Sequence, residues 1–246
     1  MIRPFLEALR FLTVFPVPSF SGGPSYPLSR AVGFFPLVGI LIGAVCLGFF
    51  VLIEPWVPSR ISHLVLLVGP VFLSGGLHLD GFADACDGLF AGKDKSSVLR
   101  IMKDTHAGVW AMTGMVLLLM AKYELLLFLP MKTKVFLFAM AASRWAQMAL
   151  SFALPAANPQ SGLGAGIAKN VKWPQGFLAT LFFIPAVVWL GLNGILLLSA
   201  VLANLVLLGI FFQRKAGGMT GDLFGAASEL TELCVYFFAV LWIGRY

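Results

Sequence analysis

From Ala31 to Ile53 the chain runs without a single charged side chain. At about 1.5 Å per residue this stretch is long enough to cross a hydrocarbon core of roughly 30 Å as a helix. Val109 to Leu129 repeats the pattern, interrupted only by Lys122 and Glu124. The whole sequence agrees: 59% of its 246 residues are hydrophobic and 11% are charged, against about a quarter charged in soluble domains. These observations exclude a water-soluble domain and predict an all-α, polytopic integral membrane protein, with residues 1–246 forming one transmembrane domain.

Seven spans are expected, over residues 31–53, 61–79, 107–129, 134–154, 177–190, 195–213 and 230–244. Residues 177–213 are too long for one crossing, and Gly191-Leu-Asn-Gly194 supplies the turn that divides them. Ahead of the first span, residues 1–30 read as an interfacial segment. Phe5, Leu9 and Leu12 share one face of a short helix, and the Pro/Gly-rich stretch from Pro16 to Pro27 follows as an extended lead-in. Glu7 and Arg10 interrupt the apolar run that a signal peptide would need. The three cysteines, Cys46, Cys86 and Cys234, are odd in number and widely spaced, which supports neither a disulfide framework nor a zinc ribbon.

The formal charge is +6, and cytoplasmic loops account for such an excess without a nucleic-acid partner, which is not expected. With the N-terminus inside, only Arg60, Lys122, Lys132, Lys134 and Arg245 of the 17 Lys and Arg fall on the outer side. This bias places segments 80–106, 155–176 and 214–229 together on the cytoplasmic face, where they can share a site.

The acidic residues carry the functional signal. Of 11, all but Glu7, Glu54 and Glu124 lie in or within three residues of two of those inner segments. The first holds Asp80, Asp84 and Asp87, at helical spacing i, i+4 and i+7, which stacks three carboxylates on one face. Like charges so placed repel unless a cation sits among them. Oxygen-only ligands at a membrane surface suit Mg²⁺, Mn²⁺ or Ca²⁺ rather than zinc, and Mg²⁺ commonly bridges carboxylates to substrate phosphates. The simpler reading is an acidic solvated loop, but Asp80 directly follows an apolar span, where an unpartnered carboxylate is costly.

Arg100, Lys103, Asp104 and His106 gather before the third span. Arg and Lys bind phosphate oxygens, and His106 or His78 can exchange a proton near neutral pH. Arg144 lies within an apolar span and is expected to face a polar interior, as a partner of phosphate or carboxylate. The second acidic segment, Gly217-Gly-Met-Thr220-Gly-Asp222 running on to Glu229 and Glu232, offers Asp222, Thr220 and Glu229 to a metal or substrate from the opposite side of a cleft. Gly162-Leu-Gly-Ala-Gly166 lacks the βαβ surroundings of a nucleotide loop and reads as a mobile substrate loop.

Several of these pieces together resemble the cobalamin synthase, or adenosylcobinamide-GDP ribazoletransferase, family: Arg10-Phe-Leu-Thr-Val-Phe-Pro-Val-Pro18, Phe35-Pro-Leu-Val-Gly39, Gly75 to Gly88, Met102-Lys-Asp-Thr-His-Ala-Gly108, and Gly217 to Asp222 with Gly225-Ala and Glu229. The resemblance runs through nearly the whole chain. It implies transfer of the adenosylcobinamide-phosphate group from adenosylcobinamide-GDP to α-ribazole or α-ribazole 5′-phosphate, with release of GMP. It also implies Mg²⁺ dependence and a multi-pass location in the prokaryotic cell (inner, or plasma) membrane, the active site facing the cytoplasm. On that reading Asp80, Asp84, Asp87 and Asp222 are candidates to hold Mg²⁺. Arg100, Lys103, Arg144, Thr220 and Glu229 are candidates to bind substrate, and His106, Asp104 or His78 to take the hydroxyl proton. A second, partial likeness is to membrane CDP-alcohol phosphotransferases: Asp84-Ala-Cys-Asp87-Gly-Leu-Phe-Ala91 follows their D-x-x-D-G-x-x-A-R run until Gly92 replaces the Arg. A cation-coupled transporter using the same carboxylates is the competing class, and an oligomer is left open.

Overall fold

The computed structural model describes residues 2–17, 27–158, 160, 162–168 and 170–244. The lead-in from Pro16 to Pro27 therefore lies mostly outside the described residues, as do Lys169 and Arg245. Among the described residues the chain is helical, with one isolated bridge, Ala156 to Met219, and no strand.

The helices are α1 (Ile2–Leu12), α2 (Leu28–Ala31), α3 (Phe35–Ile53), α4 (Ser59–Leu73), α5 (Leu77–Ala91), α6 (Lys95–Ile101), α7 (Val109–Leu127), α8 (Lys132–Ala153), α9 (Leu163–Ala168), α10 (Trp173–Leu190), α11 (Leu192–Lys215) and α12 (Gly221–Trp242). Short 3₁₀ turns at Val32–Phe34 and Glu54–Trp56 extend α3 into one run, Leu28–Trp56. That run and α7, α8, α10, α11 and α12 are each long and apolar enough to cross a membrane. The pair α4 and α5 adds a seventh crossing if counted as one bent span. The polytopic all-α expectation therefore holds, with six to seven spans.

α8 is the axis of the bundle. It is the most buried of the spans and packs against α3, α10 and α12. α1 buries Ala8 and Leu12 and lays Phe5 and Leu9 on the same core. The turn read at Gly191–Gly194 is present: Gly191 adopts φ 60° between α10 and α11, a left-handed conformation glycine takes without steric cost.

Two boundaries differ from expectation, and both concern the acidic segments. The second span, expected over 61–79, ends at Leu73. Gly75 and Gly76 then take φ 63° and 76°, and the chain turns through 86° into α5. The carboxylates consequently stand on a separate helix instead of prolonging a span. The last span, expected to begin at residue 230, begins at Gly221. Glu229 and Glu232 lie inside it, because charged partners on neighbouring helices neutralise them.

Candidate functional site

α5 crosses the first turns of α12 at glycine contacts. A Cβ on Gly81 would lie 2.9 Å from the backbone oxygen of Asp222, and one on Gly225 would lie 2.6 Å from the oxygen of His78. Only hydrogen at these two positions lets the helix backbones touch. That contact delivers Asp222, in the first turn of α12, beside Asp80 and Asp84 on α5, close enough for the three carboxylates to repel one another. Asp80 is exposed, and Asp84 and Asp222 are half-buried. Lys103 lies within electrostatic reach of Asp222 and attracts it.

The other two inner segments close around this crossing. Pro155 and Ala157 exchange backbone hydrogen bonds with Met219, at 2.8 and 2.9 Å. Lys95 lies against Gly217, and Thr220 approaches Met102. The three segments read from the sequence as one face do meet.

Asp87 has a different environment from Asp80 and Asp84. Its two oxygens accept hydrogen bonds from the backbone N–H groups of Gly108, at 2.5 Å, and Ala111, at 3.0 Å, so that it caps the start of α7 while buried. Thr220, read as a substrate residue, likewise caps α12 by accepting from Leu223 N–H at 3.1 Å. Among the described residues no three His, Cys, Asp or Glu side chains converge closely enough to form a ready-made metal cage. Mg²⁺ does not require one, since it keeps several waters and uses one or two carboxylates plus phosphate oxygens. The all-oxygen, mutually repelling set of Asp80, Asp84 and Asp222 fits that coordination.

Arg100, Lys103, Asp104 and His106 are all exposed, on α6 and the loop that follows it. Asp104 accepts from the backbone N–H of His106 at 3.0 Å and from its ring Nδ1 at 2.9 Å. The ring hydrogen bond, foremost, holds the Asp104 carboxyl below its usual range. A carboxylate only accepts, so Nδ1 carries the hydrogen and the neutral ring presents the lone pair of Nε2 to solvent.

Arg144 faces the interior and takes the carboxylate of the two partners read for it, while Glu229 and His78 are buried within the helices. Arg144 is 1% exposed and is paired with Glu232, with Ser143 Oγ 2.7 Å from the same guanidinium nitrogen. Glu229 is bound to Lys122 at 2.5 Å, and Lys122 also reaches Glu232 at 2.7 Å. The carboxylate of Glu229 and the guanidinium of Arg144 thus meet internal partners within the spans. Lys122, assigned to the outer loop from the sequence, is a buried partner of both glutamates. His78 is buried, with Nδ1 3.5 Å from Arg144 Nη2, and it borders a cavity of about 30 Å³ together with Gln147 and Gly225.

The sequence carried one signal for this cluster. Glu229 and Glu232 lie one helical turn apart inside an apolar helix and need cations at the same depth, and Lys122 and Arg144 are the basic residues in the middle of other spans.

A family model described as cobalamin-5-phosphate synthase matches residues 4–240. The chain belongs to that family. Three curated relatives are each named adenosylcobinamide-GDP ribazoletransferase. The protein of Chlorobium phaeobacteroides (strain BS1) is 36% identical, with 96% of each chain covered. That of Geotalea daltonii (strain DSM 22248 / JCM 15807 / FRC-32) is 34% identical over the full length of both. That of Klebsiella pneumoniae (strain 342) is 35% identical, covering 95% of this chain and 97% of the relative. No solved structure matches the chain. Membership in this transferase family of cobalamin biosynthesis sets aside the competing transporter class.

Proposed function

We propose that this cobalamin-5-phosphate synthase family member joins adenosylcobinamide-GDP to α-ribazole or α-ribazole 5′-phosphate, producing adenosylcobalamin or its 5′-phosphate and GMP. The observation that carries the reading is the crowding of Asp80, Asp84 and Asp222 at the α5–α12 crossing, with Lys103 beside them. A diphosphate substrate brings negative charge, and three carboxylates would reject it unless a divalent cation lay between. Asp80, Asp84 and Asp222 would hold Mg²⁺, which when bound would supply neutralisation of the diphosphate charge and polarisation of its phosphorus–oxygen bonds.

In the transfer the ribazole 3′-hydroxyl oxygen bonds to the phosphorus attached to cobinamide, and the bond from that phosphorus to the GMP oxygen breaks. His106 Nε2 takes the hydroxyl proton, its ring oriented by Asp104. Lys103 and Arg100 hold phosphate oxygens as exposed, unburied cations able to move with the substrate. Asp87 keeps α7 and the His106 loop attached to α5, so it supports the site by position. The site faces the cytoplasm of a prokaryotic plasma membrane in this reading, and the basic bias of the sequence at this end of the bundle supports the inward orientation.

The test is Mg²⁺-dependent GMP release by the purified protein in liposomes supplied with adenosylcobinamide-GDP and α-ribazole 5′-phosphate, beside Asp84→Asn. A cobalamin product formed with equal GMP, abolished by chelation and by the variant, supports the reading. GMP formed at the same rate by Asp84→Asn would remove the acidic cluster from the chemistry.

A further inference from the structure

On the side of α5 away from its carboxylates, a groove of about 430 Å³ opens between α5, α7, α11 and α12. Its lining includes Phe82, Leu89, Leu118, Phe212, Leu230 and Leu233, and its wall exposes almost only carbon. Gly114 to Ala121 on α7 and Ala226 to Leu233 on α12 line it, beginning five residues into each helix from the end that meets α5. At about 1.5 Å per residue the groove starts roughly 7 Å below those helix ends, at hydrocarbon depth. Its volume falls within the range of pockets that enclose drug-sized molecules, about 300–1,000 Å³.

The mouth differs chemically from the interior. Phe90 stands 5.4 Å from the ring of Trp110 and 6.5 Å from that of Phe211, forming an aromatic rim of the kind that marks the headgroup level. Immediately beyond the rim the chain is basic: Lys93 and Lys95 follow Phe90, and Arg214 and Lys215 follow Phe211 and Phe212. All four are exposed, and Lys95 leans across to Gly217, next to the end of α11, so the two basic pairs belong to one edge. Of the carboxylates next in sequence to this lining or to Lys95, Asp84 belongs to the acidic site, and Glu229 and Glu232 are engaged by Lys122 and Arg144. Asp94 caps α6 through Ser97, and Asp87 caps α7. Neither is among the groove residues.

We propose that this groove is a binding site for an anionic phospholipid, one acyl chain lying between α7 and α12 and the phosphate resting on Lys95, Arg214 and Lys215. A polar ligand finds no partner inside, whereas an acyl chain does, and a basic pocket between helices on the side carrying the positive residues recognises anionic headgroups. The proposal does not rest on the transfer chemistry, because Lys95, Arg214 and Lys215 are not among the residues assigned to it.

The purified full-length protein is titrated with phosphatidylglycerol and with phosphatidylcholine of the same acyl chains, and bound lipid is counted by native mass spectrometry. Each basic residue near a lipid surface changes affinity about fivefold, so the variant Lys95→Ala/Arg214→Ala/Lys215→Ala is expected to bind phosphatidylglycerol roughly 100-fold more weakly. Its binding of phosphatidylcholine stays unchanged. Ala121→Phe, which fills the groove, weakens both lipids. Should that variant not fold, the triple variant decides alone, since its three side chains are exposed. Equal binding of the two lipids by the unmodified protein, or an undiminished preference in the triple variant, overturns the proposal. So does a lipid-free dimer that Ala121→Phe splits, which would make a second copy the occupant.

Discussion

Replacing Lys122 with methionine is expected to unbalance a charge cluster that now sums to zero. Lys122 and Arg144 face Glu229 and Glu232, and all four side chains are at least nine-tenths buried. Methionine matches the length of the lysine stem, so packing is largely kept and the loss is electrostatic. Glu229 then loses its direct ion pair and keeps only the longer-range attraction of Arg144, which is bound to Glu232. Removing one partner of a buried ion pair costs about 3–5 kcal/mol. For a chain of this size, about 2–4 °C of midpoint shift accompanies each kcal/mol, so unfolding should come roughly 6–20 °C earlier. The companion change Glu229→Gln removes the stranded negative charge, and the double variant Lys122→Met/Glu229→Gln should recover most of the loss. Thermal unfolding of the four proteins in one detergent, followed by tryptophan fluorescence, completes the double-mutant cycle. Additive effects in the double variant, or a Lys122→Met midpoint within about 2 °C of the unmodified protein, would refute the idea that these charges stabilise each other.

The acidic residues of α5 should separate cleanly in the same assay. Asp87→Ala strips the acceptor from two backbone N–H groups at the start of α7 and should cost about 1–3 kcal/mol, whereas Asp84→Asn relieves repulsion, leaves the unfolding midpoint unchanged or higher, and abolishes GMP release. Gly225→Ala forces a methyl group against the backbone oxygen of His78; it should destabilise by about 1–3 kcal/mol and raise the Mg²⁺ concentration needed for half-maximal turnover as α5 and α12 separate. His106→Ala should lower kcat by about 10²–10⁴-fold with stability unchanged, since the ring is exposed, and an undiminished kcat would transfer the proton to another group.

How far the sequence reveals this molecule depends on the range of the interaction concerned. Hydrophobic length alone locates α7, α8 and α11 to within a few residues, because lipid-facing composition is a property of the segment itself. The spacing of Asp80, Asp84 and Asp87 correctly announces a helix, yet their shared face does not give them a shared role: Asp87 is claimed by Gly108 and Ala111, more than 20 residues along the chain. The last span loses its first turns to hydropathy for the same reason. Glu229 looks like a loop residue until Lys122, more than 100 residues away, is brought beside it. The break after Leu73 is written in Gly75 and Gly76, but its angle is set by the crossing with α12.

The shortness of α4 has a consequence for the membrane around it. Its 15 residues measure about 22 Å, while the 22 of α8 measure about 33 Å. α4 alone is therefore several ångströms too short to cross a hydrocarbon core of roughly 30 Å, and the chain turns into the carboxylate-bearing α5 directly after it. A bilayer meeting a short element thins locally to accommodate it. Water and dissolved anions can then reach the reaction zone at a depth where, beside the longer helices, acyl chains begin. Lipids with longer chains would oppose that thinning and starve the site of its aqueous reactants, while shorter ones would favour it.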